Sequence, residues 1–299
     1  MTAAPVYLPS QIKKRYRATQ EEVTARRVTL YEIVSTMQPM TVRQVFYQSA
    51  VRNLVDKSEN GYHKVQSDLA LMRRAGEMPY QWITDNTRWM RQSPTFNGVE
   101  EVLTQVARLY RKSLWAVADD YVEIWAEKDA LVGVLLPVTT LFDVPLMVTR
   151  GYASLSFVHT AAEYIASLDV PTTIYHLGDF DPSGVDAPNK IGETLHEMAP
   201  DADITFKRLG VTEKQIRQWR LPRRPTQNSD TRAKRFGPVS VELDAIKPDF
   251  LRRLVSDAVE QHLPPEELRI LKIAEEDERR MLSLMVADVI QRKVAGEIS

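Results

Sequence analysis

The chain has 299 residues, of which 43% are hydrophobic and 26% charged, with a formal net charge of -1 and no cysteine. That composition fits a soluble globular protein of one large or two medium domains, and it excludes global disorder, disulfides, thiol nucleophiles and cysteine-held zinc. No stretch approaches the roughly 18 uninterrupted apolar residues of a membrane helix, and MTAAPVYLPSQIKKRYR lacks the apolar run of a secretory signal, so a cytoplasmic location is expected. The five histidines (His63, His159, His176, His196, His262) show no paired ligand spacing, which leaves oxygen as the main ligand of any catalytic metal. The net charge hides an asymmetry. Residues 1–117 carry 17 Lys and Arg against 10 Asp and Glu, and the remainder 22 against 30, so a polyanion is expected to meet the first part and divalent cations the second.

Residues 19–37 read as a helix, because Val23, Leu30, Ile33, Val34 and Met37 recur at helical spacing. Pro39 ends it, and Thr41 is an N-cap for a second helix whose apolar stripe is Val42, Val45, Phe46 and Val51. On that helix Arg43 and Tyr47, four residues apart, share a face. A third helix is expected from about 61 to 75, with Val65, Leu69 and Met72 inward, Gly76 as its C-terminal cap, and His63, Lys64, Gln66, Arg73 and Arg74 outward. Tyr80, Trp82 and Ile83 in MPYQWITDNTRW suggest a short strand pair, which would complete a winged helix-turn-helix. In that arrangement Lys64, Arg73 and Arg74 face DNA; the alternative is a small helical domain packed on its neighbour. A further helix, 99–114, completes an α-rich N-terminal domain at residues 1–117.

From Tyr121 short apolar strands alternate with helices: YVEIWAE, VPLMVTR, TTIYHLGDFD and DITFKRLG, separated by helical stretches around 129–136, 156–168 and 190–198. This predicts an α/β domain at 118–262 with a Rossmann-like parallel sheet and functional groups at the C-terminal strand ends. A C-terminal helical tail follows at 263–299. Between Phe206 and Phe236 lie ten Lys and Arg and two acids, with Pro222 and Pro225, so this segment reads as an exposed basic loop. Trp115, Trp125 and Trp219 read as packing residues, and His176 as a hydrogen-bonded histidine near the core.

The acids fall at strand ends. Asp179 and Asp181 follow the strand 173–177, and Glu127 ends the strand VEIWA, so three hard oxygen donors can converge on one Mg2+ suited to phosphodiester chemistry. Helix capping is the alternative for the aspartates, since such turns commonly use them.

WAEKDAL, TRGY, LGDFDPSG, KRLG and VELDAI, in that order and spacing, resemble the Toprim domain of the topoisomerase VI A subunit and its meiotic double-strand-break relatives. TVRQVFYQ resembles the winged-helix segment of the same family, and the likeness spans about 40–260. The chain is similar in form to compact stand-alone A subunits from mobile elements. Two departures are Phe180, where the family usually has glycine, and TRGYASLSF, which lacks the usual proline-aspartate. The resemblance implies that Glu127, Asp179 and Asp181 hold Mg2+ (or Mn2+), that Gly151 and Tyr152 form a glycine-aromatic turn, and that Glu242 is a late acidic position. It further implies that Tyr47 is the nucleophile, in a homodimer where each tyrosine serves the other protomer's site on double-stranded DNA. Nothing in the sequence resembles the ATP-binding subunit, so ATP-driven strand passage would need a separate ATPase chain.

The resulting expectation is Mg2+-dependent cleavage of DNA by Tyr47, with Arg43 holding the phosphate or lowering the phenol pKa and Glu127 aiding metal binding and proton transfer: a type IIB topoisomerase-like activity. Two alternatives stand beside it: hydrolysis by metal-bound water, with Tyr47 a core aromatic, and a non-catalytic DNA-binding or partner-binding module.

Overall fold

The computed structural model describes residues 19–84, 95–151, 153–226 and 236–295. The chain forms two compact units, Met1–Arg88 with Asp120–Ala258 and Trp89–Asp119 with Val259–Ser299. Packing therefore crosses the linear division at 117 and 262, because the first three helices join the α/β segment instead of standing apart.

In the first unit, α1 (Gln20–Met37) starts at a capping box on Thr19, α2 (Val42–Val51) at one on Thr41, and α3 (Glu59–Arg74) at Ser58. Each cap satisfies amide hydrogens that the first helical turn leaves unpaired. Leu30, Ile33, Val45, Phe46, Val65 and Leu69 are fully buried between the three helices. Asp68 of α3 ties them together, accepting from Arg26 at 2.6 Å and Arg27 at 3.3 Å. Gly76 follows α3 at φ +75°, a left-handed conformation that glycine takes without a Cβ clash.

Among the described residues Tyr80–Ile83 form no strand pair. Pro79 opens a 3-10 turn at Tyr80–Trp82 instead, Trp82 tilts against the Tyr31 ring of α1 at 5.4 Å, and only a single bridge joins Ile83 to Met40. The part of that segment beyond residue 84 lies outside the described residues.

The α/β portion holds a four-stranded parallel sheet in the order β2-β1-β3-β4, with β1 Tyr121–Ala126, β2 Leu146–Val148, β3 Thr172–Leu177 and β4 Ile204–Gly210. The helices α5 (Val132–Leu141), α6 (Leu155–Ala166) and α7 (Pro182–Met198) connect the strands. Every residue of β3 is buried, as a central parallel strand covered on both faces requires. Trp125 lies at the centre of one layer, edge-on to Phe157 and Phe206 and packed with Ile165, Ile174 and Leu195. After β4 come α8 (Glu213–Gln218), a two-stranded ribbon of β5 (Arg224–Pro225) and β6 (Val239–Ser240), and the helix Pro248–Glu260.

The second unit pairs α4 (Val99–Leu109) with the 30-residue helix Pro265–Val294. Buried Glu275 accepts from Arg111 Nη1 and the Lys112 amide at 3.0 Å and from Arg279 at 2.6 Å. α4 ends at Leu109 and not at 114, because Tyr110 turns extended: its carbonyl accepts from Arg279, and its hydroxyl donates to Glu278. No helix among the described residues is long and apolar enough to cross a membrane.

Candidate functional site

The site lies within the first unit, at the C-terminal ends of β1 and β3. The backbone of β3 continues past Leu177 alongside β4, the Gly178 amide donating to the Gly210 carbonyl and the Val211 amide to the Gly178 carbonyl. Phe180 then pairs with Val241 in an antiparallel bridge through two bonds of 2.8 and 2.9 Å. That bridge carries Glu242 and Asp244 to the side of Asp179 and Asp181. The phenylalanine that departs from the resembled glycine therefore forms part of the frame, and its ring packs on Phe236 at 4.9 Å.

Glu127 and Asp179 meet directly, with the Asp179 amide donating to Glu127 Oε2 at 3.0 Å. Burial, and then the charge of Asp179, push the Glu127 carboxyl above its usual range; Asp181 adds to the effect. Asp179 Oδ1 accepts from the Leu243 amide and from Lys128 Nζ, each at 2.8 Å. Burial raises its pKa and Lys128 opposes the rise. Asp181 is the N-cap of α7: its Oδ1 accepts from the Gly184 amide at 2.7 Å and from Ser183 Oγ at 2.9 Å. The capping alternative therefore describes Asp181, while its Oδ2 points to Arg224 at 3.1 Å.

Helix α2 delivers Arg43 and Tyr47 to the same place. Arg43 Nη1 donates to both Glu242 oxygens, at 3.1 and 2.9 Å. The Tyr47 phenol lies near enough to the same carboxylate to feel its charge, and only 3% of the Tyr47 surface is exposed. Burial, followed by the charge of Glu242, drives the phenol pKa far up, with Arg43 and Lys128 opposing. Glu242 itself stays ionised: burial alone would raise its pKa, but Lys128, Arg43 and Arg224 hold it below the carboxylate range. Arg43 thus acts first on Glu242 in this structure. Lys57 Nζ lies 5.5 Å over the Tyr47 ring.

Four residues of the site carried no assigned role in the sequence reading. Lys128 bridges Asp179 and Asp244, at 2.8 and 2.9 Å. Asp244 is 2% exposed and accepts from Thr41 Oγ1 at 3.0 Å, which pins the start of α2 to the strand ends. Arg208 donates to the carbonyls of Gly178, Asp179, Gly184 and Val211 and so clamps the turn around the aspartates. Arg224 faces Asp181, Asp179 and Glu242. Arg208 and Arg224 correct the picture of 207–235 as one exposed basic loop, since both are largely buried as counterions or carbonyl donors; residues 227–235 lie outside the described residues. Sequence neighbours gave one clue, because Lys128 directly follows Glu127, and KRLG and VELDAI stood among the quoted motifs.

His176 also differs from expectation. It is 1% exposed and stacks on Phe206, yet its Nδ1 has no hydrogen-bond partner. Burial, then Arg208, lower its pKa to about 3, so the ring is neutral. Lys64 and Arg74 are exposed on α3 and Arg73 is half-buried over Tyr80, so none of the three enters the acid cluster. The N-terminal half of α3 does reach it, as Tyr62 and Gln66 line an open cleft of about 610 Å3 with Arg43, Glu127, Lys128 and Arg150. Gly151 has φ +84°, and Tyr152 lies outside the described residues.

The oxygen donors suit a hard divalent cation in type and charge, and such an ion offsets both the burial and the Asp179 charge that raise the Glu127 pKa. In the arrangement described, side-chain cations supply the neutralisation, and among the described residues no three acidic or imidazole groups stand in metal-holding geometry. A scan against protein-family models gives no match, and a search of curated proteins finds no similar chain.

Proposed function

We propose that this protein cleaves double-stranded DNA by tyrosine transesterification in the manner of a type IIB topoisomerase A subunit, with α1–α3 as a winged-helix element and the parallel sheet as a Toprim domain. The observation that carries the reading is the convergence of Arg43 and Tyr47 on Glu242, beside Glu127, Asp179 and Asp181, from segments far apart in sequence. In this reading Tyr47 Oη attacks the phosphorus, the P–O3' bond breaks, and a 5'-phosphotyrosyl bond forms. The phenolic proton passes to the neighbouring Glu242 carboxylate, and the departing 3' oxygen takes up a proton. Arg43 is placed to hold a phosphate oxygen. Mg2+, or Mn2+ in its place, would be held by Glu127, Asp179 and Asp181, and would supply charge stabilisation for the phosphate oxygens. Duplex DNA, a second copy of the chain and a separate ATPase subunit are the partners this reading implies.

Burial of Tyr47 favours a second reading, in which the same acids direct hydrolysis by water and the phenol remains in the core. Incubation with supercoiled plasmid and Mg2+ or Mn2+, followed by detergent and protease, separates them. Transesterification gives nicked or linear DNA carrying covalent protein. Hydrolysis gives free ends, and a binding module gives no cuts.

A further inference from the structure

We infer that Arg224 is the counter-cation that faces the outer oxygens of the Asp179–Asp181 pair and sets how tightly that pair takes a divalent cation. The inference rests on the metal assignment proposed above and concerns one residue of this chain. The inner oxygens of the two aspartates have structural duties: Asp179 Oδ1 accepts the Leu243 amide, and Asp181 Oδ1 accepts the Gly184 amide at the start of α7. Their outer oxygens both turn to Arg224, whose Nη2 lies 3.1 Å from Asp181 Oδ2 and 3.9 Å from Asp179 Oδ2, while Nη1 lies 3.7 Å from Glu242 Oε1.

The other cations nearby are bound more completely. Arg208 spends its donors on four backbone carbonyls, Lys128 bridges two carboxylates below 3 Å, and Arg43 grips Glu242 with one nitrogen on both oxygens. Arg224 makes one contact of hydrogen-bond length to the pair, and its buried Nε has no partner. It is loosely satisfied, it sits on the two-residue strand β5, and it addresses the very oxygens an added ion would use. A guanidinium and a divalent cation a few ångströms apart repel strongly in a site so little exposed to water. Binding of the ion therefore requires Arg224 to withdraw, and its charge weakens the affinity.

The test is Mn2+ titration by calorimetry at fixed ionic strength on the parent, Arg224→Gln, Arg224→Lys and Asp179→Ala proteins, with near-ultraviolet circular dichroism as a check on folding. Arg224→Gln is expected to bind Mn2+ on the order of tenfold tighter than the parent, and Arg224→Lys within about threefold of it, because charge and not shape sets the competition. Equal or weaker binding by a folded Arg224→Gln protein, with the parent binding and Asp179→Ala not binding, overturns the role of Arg224 and leaves the metal assignment intact. Absence of Mn2+ binding by both the parent and Arg224→Gln overturns the metal assignment, and this inference with it.

Discussion

Gly178 separates Glu127 from His176, and the approach of those two side chains depends on its missing Cβ. A methyl group there would stand 2.7 Å from both Glu127 Oε2 and His176 Cε1, closer than packed atoms tolerate. Gly178→Ala is expected to cost about 1–3 kcal/mol, read by urea unfolding, because the carboxylate has to move from the Asp179 amide it accepts. His176 supports a pH prediction. Its folded pKa of about 3 lies below the roughly 6.5 of an unfolded histidine, so between those values the unfolded chain binds a proton that the folded chain does not. Stability from this residue is full above about pH 6.5 and declines as pH falls towards 3. In His176→Phe that loss disappears. Between pH 7 and pH 5 the parent should lose about 2 kcal/mol more than the variant, and equal losses would show that the ring is solvated.

Helix α2 shows how local and distant forces combine. Its start was legible in the sequence, because TVRQ places a threonine at the N-cap and a glutamine three residues on, and the structure forms that capping box. Thr41 Oγ1 also donates to buried Asp244 at 3.0 Å, a contact across 203 positions that no local pattern encodes. Thr41→Ala should therefore cost about 2 kcal/mol, at the upper end for a lost cap, and Thr41→Ser should retain most of the stability. The alternating strands and helices, the inward faces of α1 and α3 and the strand-end placement of Glu127 and Asp179 were readable for the same reason: periodicity and turn chemistry are local. Arg208 and Arg224 were not, since a segment rich in arginine looks the same whether its guanidinium groups meet water or buried carboxylates. Among the described residues a 3-10 turn stands at Tyr80–Trp82 in place of a strand, because Pro79 favours that turn and Trp82 packs on Tyr31, a tertiary contact that outweighs strand propensity.

Across the whole molecule, charge is divided between a basic first part and an acidic remainder, although part of the basic excess of 207–235 is spent inside the first unit on Asp181, Glu242 and backbone carbonyls. Cations left on the surface, such as Lys64 and Arg74, are the ones free to meet a polyanion. If α3 faces DNA, neutralising Lys64, Arg73 and Arg74 should lower the slope of log affinity against log salt by about 2–3, as three phosphate contacts are removed. An unchanged slope would move the DNA surface away from α3.

The chemistry turns on one oxygen atom. Tyr47→Phe deletes the hydroxyl near Glu242 and leaves the ring that packs on Phe46 at 5.4 Å. The most direct measurement is recovery of protein–DNA adducts from end-labelled duplex in Mg2+ or Mn2+, comparing parent and Tyr47→Phe proteins matched in fold and DNA affinity. An adduct on the 5'-phosphate end at each break, mapped to Tyr47 by mass spectrometry, is expected, and its loss together with cleavage in Tyr47→Phe. Undiminished cutting by Tyr47→Phe, or breaks without attached protein, would contradict it and leave water as the nucleophile.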